Sequence, residues 1–130
     1  AGYSRTRFDD FTVTAGSLTA DLSDSEFAFA PRWTAAVGGD YRWENGLFAG
    51  VNASYRSSAF SVTGVDQAAS RLDARTIVNA KLGYQADHWT LSAFGNNVFD
   101  EAHVQYVQPF SNRAMFGAPR VLGVILEANW

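Results

Sequence analysis

From Arg32 to Trp43 the chain alternates strictly. Trp33, Ala35, Val37, Gly39, Tyr41 and Trp43 share one parity, and Arg32, Thr34, Ala36, Gly38, Asp40 and Arg42 the other. On a pleated strand successive side chains point to opposite faces, so every charge of this segment falls on one face. The pattern recurs. Leu47, Ala49, Val51, Ala53 and Tyr55 oppose Phe48, Gly50, Asn52, Ser54 and Arg56. Thr76, Val78, Ala80, Leu82, Tyr84 and Ala86 oppose Ile77, Asn79, Lys81, Gly83 and Gln85. Trp89, Leu91 and Ala93 alternate with Thr90 and Ser92 until Phe94 blurs the rule. Leu122, Val124, Leu126, Ala128 and Trp130 alternate with Gly123, Ile125, Glu127 and Asn129. A less regular opening strand is expected over about Gly2–Phe11, where Arg5 and Arg7 share the parity of Tyr3.

The links between these segments differ in length. Glu44-Asn45-Gly46 carries the Asn-Gly pair that favours a tight hairpin, and Asp87-His88 makes a second short connection. Residues 12–28, 61–72 and 99–119 form long, polar or irregular links. A rim of short turns and a rim of long loops is the organisation of an outer-membrane barrel, with the short turns on the periplasmic side.

Composition removes several alternatives. Formal net charge is −3, 18% of the residues are charged and no basic run occurs, so no nucleic-acid partner is implied. Without cysteine there is no disulfide framework, thiolate metal site or Cys nucleophile. No apolar run approaches the roughly 20 residues of a transmembrane helix. A barrel strand escapes that test, because only every second residue faces lipid.

The rings favour a membrane over a soluble sandwich with one wet face. Trp43 and Trp89 flank short turns, Trp130 ends the chain, and Trp33 lies at the far end of its strand. About ten steps of about 3.3 Å, tilted by about 40°, span roughly 25 Å, the height of the apolar band between two aromatic girdles. The expected girdle is therefore Trp33, Trp43, Trp89 and Trp130. The faces that carry Arg32, Asp40, Arg42, Arg56, Lys81 and Glu127 hold too much charge for the packed interior of a small barrel and suit a wide lumen. About six strands cannot close round such a lumen, since the smallest outer-membrane barrels have about eight, so further strands are expected ahead of this segment. The fold class read here is all-β: antiparallel transmembrane β-barrel strands, short periplasmic turns and long extracellular loops.

Particular runs carry a family resemblance. Phe29-Ala30-Pro31-Arg32-Trp33-Thr34, Tyr55-Arg56-Ser57, Val78-Asn79-Ala80-Lys81-Leu82-Gly83-Tyr84, Asn96-Asn97-Val98-Phe99-Asp100-Glu101, Phe116-Gly117-Ala118-Pro119-Arg120 and the terminal Trp130 follow one another in this order. Together they resemble the C-terminal barrel segment of TonB-dependent outer-membrane receptors. The resemblance implies that residues 1–130 are the last part of a barrel of about 22 strands, with the plug domain and earlier strands outside this sequence. It implies the bacterial outer membrane as location and uptake of a scarce ligand, siderophore-bound iron or similar, as function. Implied partners are outer-membrane lipid, the N-terminal barrel and plug, TonB through the N-terminal part, and the barrel-assembly machinery during insertion. Leu122, Val124, Leu126, Ala128 and Trp130 look like that machinery's C-terminal signal. An edge strand with alternating side chains can be read by β-augmentation, and simple lipid contact is the plainer account.

No catalytic constellation is present and no cofactor is implied. His88 and His103 lack a partner at metal-ligand spacing. Asp21, Asp24 and Glu26 supply oxygens of the kind Ca²⁺ takes, with a solvated acidic loop as the plainer reading. Tyr106, Phe110, Arg113 and Phe116 in the last long loop are candidate ligand contacts at the extracellular mouth, against simple loop packing. Asn96, Asn97 and Asp100 are expected to shape a strand exit through bonds to backbone. Two other functions compete. A small self-contained outer-membrane barrel would need two more strands, near Val62 or Val104–Val107. A soluble lipocalin-like ligand-binding barrel would invert the faces.

Overall fold

The computed structural model describes residues 1–64, 67–111 and 113–128. Strands follow in the order β1 (Gly2–Tyr3), β2 (Thr12–Ala15), β3 (Leu18–Asp21), β4 (Trp33–Arg42), β5 (Leu47–Arg56) and β6 (Ala59–Phe60). Then come β7 (Arg71–Leu72), β8 (Arg75–Gln85), β9 (Trp89–Asn96), β10 (Val104–Gln108), β11 (Arg113–Phe116) and β12 (Val121–Ala128). Six of them form one sheet in the order β1-β4-β5-β8-β9-β12. That agrees with the six strands expected, and β1 runs antiparallel to β4, β8 to β9 and β9 to β12. The all-β reading stands, as an open sheet.

The register settles which residues share a face. Lys81 pairs with Phe94, and Phe94 with Gly123; Leu82 pairs with Ala93, and Ala93 with Val124. Two steps along, Tyr84 lies opposite Leu91 and Leu91 opposite Leu126. The apolar sets of β8, β9 and β12 therefore merge into one band. Phe94 keeps the polar-face parity of Thr90 and Ser92.

Turn chemistry closes the short links. Trp43 N–H donates to the Leu47 carbonyl at 2.8 Å and Leu47 N–H to Asn45 Oδ1 at 3.2 Å. Gly46 sits at φ +89°, and a Cβ there would run into the Gln85 carbonyl, so only glycine fits. Ala86 N–H donates to the Trp89 carbonyl at 2.8 Å across the second turn.

Two expectations change. The opening strand shrinks to Gly2–Tyr3. Beyond it the backbone turns aside: Phe8 N–H donates to Ser25 O, Asp24 N–H to Phe8 O, and the Phe8 ring packs on Phe11 and Phe27. The long links also hold strands of their own, in three separate pairs: β2-β3, β6-β7 and β10-β11. None of these joins the six-stranded sheet, so the segments near Val62 and Val104 do not supply the extra strands of a self-contained barrel.

The chain divides into two compact units. One comprises Ala1–Ala35, Arg56–Arg75 and Ala102–Gly117, and holds most of the long links. The other comprises Ala36–Tyr55, Thr76–Glu101 and Ala118–Trp130, and holds most of the sheet.

Candidate functional site

In the sheet unit the polar face is organised in rows that cross the strands. Asp40 on β4 and Lys81 on β8 form an ion pair of 2.7 Å over β5, where Gly50 leaves the space. A Cβ at Gly50 would strike Asp40 Oδ1 and come within 2.7 Å of Lys81 Cε. The adjacent row carries Arg42, whose guanidinium lies 5.3 Å from the Phe48 ring centroid and donates to Gln85 Oε1. Phe48 in turn covers Gly83, and the Phe94 ring covers Gly123. A third row is made of amides, with Asn79 Nδ2 donating to Asn52 Oδ1 at 3.0 Å. The first and third rows border an open depression of about 330 Å³. They offer fixed charges and amides for a polar surface and no nucleophile–base pair.

The strand exit after β9 is built round Asn97, which is 4% exposed at φ +51°. Its Oδ1 accepts from Glu101 N–H at 2.9 Å, and its Nδ2 donates to the carbonyls of Glu101 (3.1 Å) and Ala118 (3.2 Å). Asp100 Oδ1 accepts from Arg120 N–H at 2.8 Å. The Asn-Asn-Val-Phe-Asp-Glu and Gly-Ala-Pro-Arg runs, separate in sequence, are thus bonded to each other.

On the apolar face each described tryptophan has a tyrosine beside it. Trp33 lies 4.7 Å from Tyr3, Trp43 4.8 Å from Tyr41, and Trp89 5.6 Å from Tyr84, measured between ring centroids. Leu122, Val124 and Leu126 are more than two-thirds exposed, and Ala128 is exposed as well. Trp130 lies outside the described residues.

The four loop candidates share the β10-β11 segment without converging on one point. The Tyr106 ring stacks at 6.3 Å on Phe29, and Arg113 lies opposite Gln108. Phe110 and Phe116 remain 79% and 71% exposed. The three acidic residues of the first link are engaged elsewhere. Asp21 accepts from Ser23, Asp24 pairs with Arg7 and Glu26 pairs with Arg32. Among the described residues no three His, Cys, Asp or Glu side chains are grouped to hold a metal ion. His88 lies in the short turn after β8, and the His103 ring occupies the space beside Gly117.

Sequence reading missed the ion pair, the Arg42–Phe48–Gln85 row and the glycine windows. The available signal was glycine at positions 50, 83 and 123 on the face that also carries Asp40, Arg42, Phe48, Lys81 and Phe94.

Comparison with known proteins agrees with this geometry. FpvA of P. aeruginosa, solved with iron and a heterologous pyoverdine, superposes at a TM-score of 0.65 with 20% identity over 83% of this chain and 15% of its own. The ferric-catecholate import receptor Fiu of E. coli K12 also gives 0.65, with 18% identity over 83% of this chain and 16% of its own. At such identities the likeness is one of fold, and the chain spans about one-sixth of either receptor. The family model described as "TonB dependent receptor-like, beta-barrel" matches residues 1–98. With that match over most of its length, the chain belongs to the TonB-dependent receptor β-barrel family.

Proposed function

We propose that residues 1–130 form the last strands of the barrel of an outer-membrane receptor that imports a scarce nutrient, siderophore-bound iron or a similar ligand, with energy supplied through TonB. The remaining strands and a plug domain lie elsewhere in the complete receptor. The observation that carries this reading is the two-faced open sheet. Leu82, Ala93 and Val124 sit in one transverse row of the apolar band, and charged or amide rows occupy the opposite face. In hydrocarbon every backbone group must be bonded, so a sheet with free outer edges needs partner strands. The wet face then lines a lumen too wide for side chains to fill.

Tryptophans 33, 43, 89 and 130 serve as girdle residues in this reading, and the alternate residues of β12 with Trp130 as the assembly signal. The β10-β11 hairpin, with Tyr106, Phe110, Arg113 and Phe116, stands at the extracellular mouth.

The test begins with detergent extraction from outer membranes, intact mass and peptide sequencing of whatever co-purifies. It continues with TonB-dependent uptake of ferric chelates by cells that carry the full receptor. The expected result is a much longer chain with plug peptides, or a separate chain supplying them, and uptake that stops without TonB. A folded, detergent-dependent species of these residues alone would overturn the import reading in favour of a self-contained barrel. Solubility without detergent would overturn the membrane assignment altogether.

A further inference from the structure

Arginine pairing in the loop-rich unit is uneven. Arg7 pairs with Asp24 at 3.1 Å, Arg32 with Glu26, and Arg71 with Asp73 at 3.8 Å. Arg56 and Arg75 have no carboxylate partner among the described residues. Both are half-buried, at the adjoining ends of the neighbouring strands β5 and β8. Arg56 lies four residues along its strand from Asn52, and Arg75 four from Asn79, whose amides are bonded to each other. Strand alternation therefore puts both guanidinium groups on the polar face, turned away from the apolar band.

Two like charges half-withdrawn from water, with no counter-charge among the described residues, are costly, and such arrangements concentrate where a ligand is taken up. A neighbouring segment orients one of them. Phe29 holds φ +57°, rare for a bulky side chain, with its N–H on the Phe60 carbonyl at 2.7 Å. Its carbonyl accepts one N–H of Arg56 at 3.2 Å, leaving the other donors of that planar fork for a second partner. The Phe29 ring, 47% exposed, lies beside Tyr106 as a flat apolar surface.

We infer that Arg56 and Arg75 together bind the negatively charged oxygens of the imported ligand, and that this receptor selects anionic over neutral chelates. The inference rests on the import reading. A guanidinium pair matches adjacent oxyanions in bidentate fashion. Its placement on the polar face favours a ligand in the lumen over a lipid headgroup.

The test uses the full receptor in cells that lack other ferric receptors, with surface display checked for every variant. Two probes are compared: a trianionic ferric tris(catecholate) and a neutral ferric tris(hydroxamate). The expected result is TonB-dependent uptake of the anionic probe. Half-saturation rises roughly ten-fold or more in the Arg56→Gln/Arg75→Gln double variant, while Arg56→Lys/Arg75→Lys retains part of the affinity. Preference for the neutral probe, or indifference of the anionic one to the double Gln variant, overturns the anion site and leaves the import reading intact. A double Gln variant with unchanged half-saturation and lower thermal stability assigns the pair to a carboxylate of the receptor itself, and also overturns it. Absence of TonB-dependent uptake of both probes counts against ferric import, and the inference falls with it.

Discussion

Lys81 Nζ stands 2.7 Å from Asp40 Oδ1 across a strand that belongs to neither residue. The contact exists because β5 has glycine at position 50, and a Cβ there would collide with both side chains. Both partners are more than half exposed, so the ion pair itself adds less than about 1 kcal/mol. Steric room matters more. Gly50→Ala is expected to lower stability by about 1–3 kcal/mol through overpacking, and Lys81→Met by less than about 1 kcal/mol. In an Asp40→Ala background the cost of Gly50→Ala shrinks, since part of the obstruction is gone. Urea unfolding of the detergent-solubilised receptor measures all three, and an undiminished cost in the Asp40→Ala background would show that Gly50 has another role.

Asn97 carries a second prediction. Its side chain is nearly buried and makes three hydrogen bonds to backbone groups of Glu101 and Ala118, on a left-handed backbone. Asn97→Ala removes those bonds and puts a less tolerant residue at positive φ, at a total of about 2–4 kcal/mol. Asn97→Gly relieves the backbone but not the bonds, and is expected to fall between. The readout is unfolding together with protease cleavage within residues 102–117, which should accelerate in the order native, Gly, Ala. If the Gly variant proved worse than Ala, the backbone part of the argument would fail.

Much of this was legible in the sequence. Alternation from Arg32 to Trp43 and from Thr76 to Ala86 gave the strands Trp33–Arg42 and Arg75–Gln85 and their faces to within a residue, because period two survives any neighbouring partner. Asn45-Gly46 gave the turn for the same local reason. Other features depend on partners distant in the chain. Residues 4–11 carry strand-like residues, yet the ring cluster of Phe8, Phe11 and Phe27 draws them off the sheet. Phe94 breaks the apolar–polar rule because its ring fills the space over Gly123, a fact fixed by the register of β9 and β12. Arg56 and Arg75 look like ordinary strand-end cations until Glu26 and Asp73 are seen to pair with Arg32 and Arg71.

The first long link should respond to acid. Hydrogen bonds from the Ser23 hydroxyl and then its backbone N–H hold the Asp21 carboxyl below the usual carboxylate range. A carboxyl lowered in the folded state stabilises at pH above its ordinary value, about 3.9, and loses that contribution as pH falls through the lowered value. Asp21 is fully exposed, so the effect is local to the turn. Ser23 also accepts from Phe11 N–H at 3.0 Å, which ties the turn to the preceding segment. Exchange of the Ser23 amide proton, corrected for intrinsic rates, is expected to be slow at about pH 6 and to lose protection well below about pH 4. Asp21→Asn should abolish the pH dependence, and a variant that kept it would place the titrating group elsewhere.

The final prediction separates the two faces of β12. Val124 lies in the apolar band with Ala93 and Leu82, whereas Ile125 shares the polar face with Ser92 and Gly83. In the proposed barrel a lysine at 124 brings its ammonium into hydrocarbon, at about 2–4 kcal/mol near mid-membrane. There a lysine at 125 enters the polar face that already accommodates Lys81. Val124→Lys is therefore expected to lower stability in bilayers by about 2–4 kcal/mol and to reduce the heat-modifiable, assembled form on gels, while Ile125→Lys leaves both near native. The contrast should shrink in lipids with a thinner hydrocarbon core, where the long side chain reaches the interface. Equal penalties at the two positions, or a larger one at Ile125, would mean that β12 presents the other face to the membrane, and the whole assignment of wall and lumen would have to be reversed.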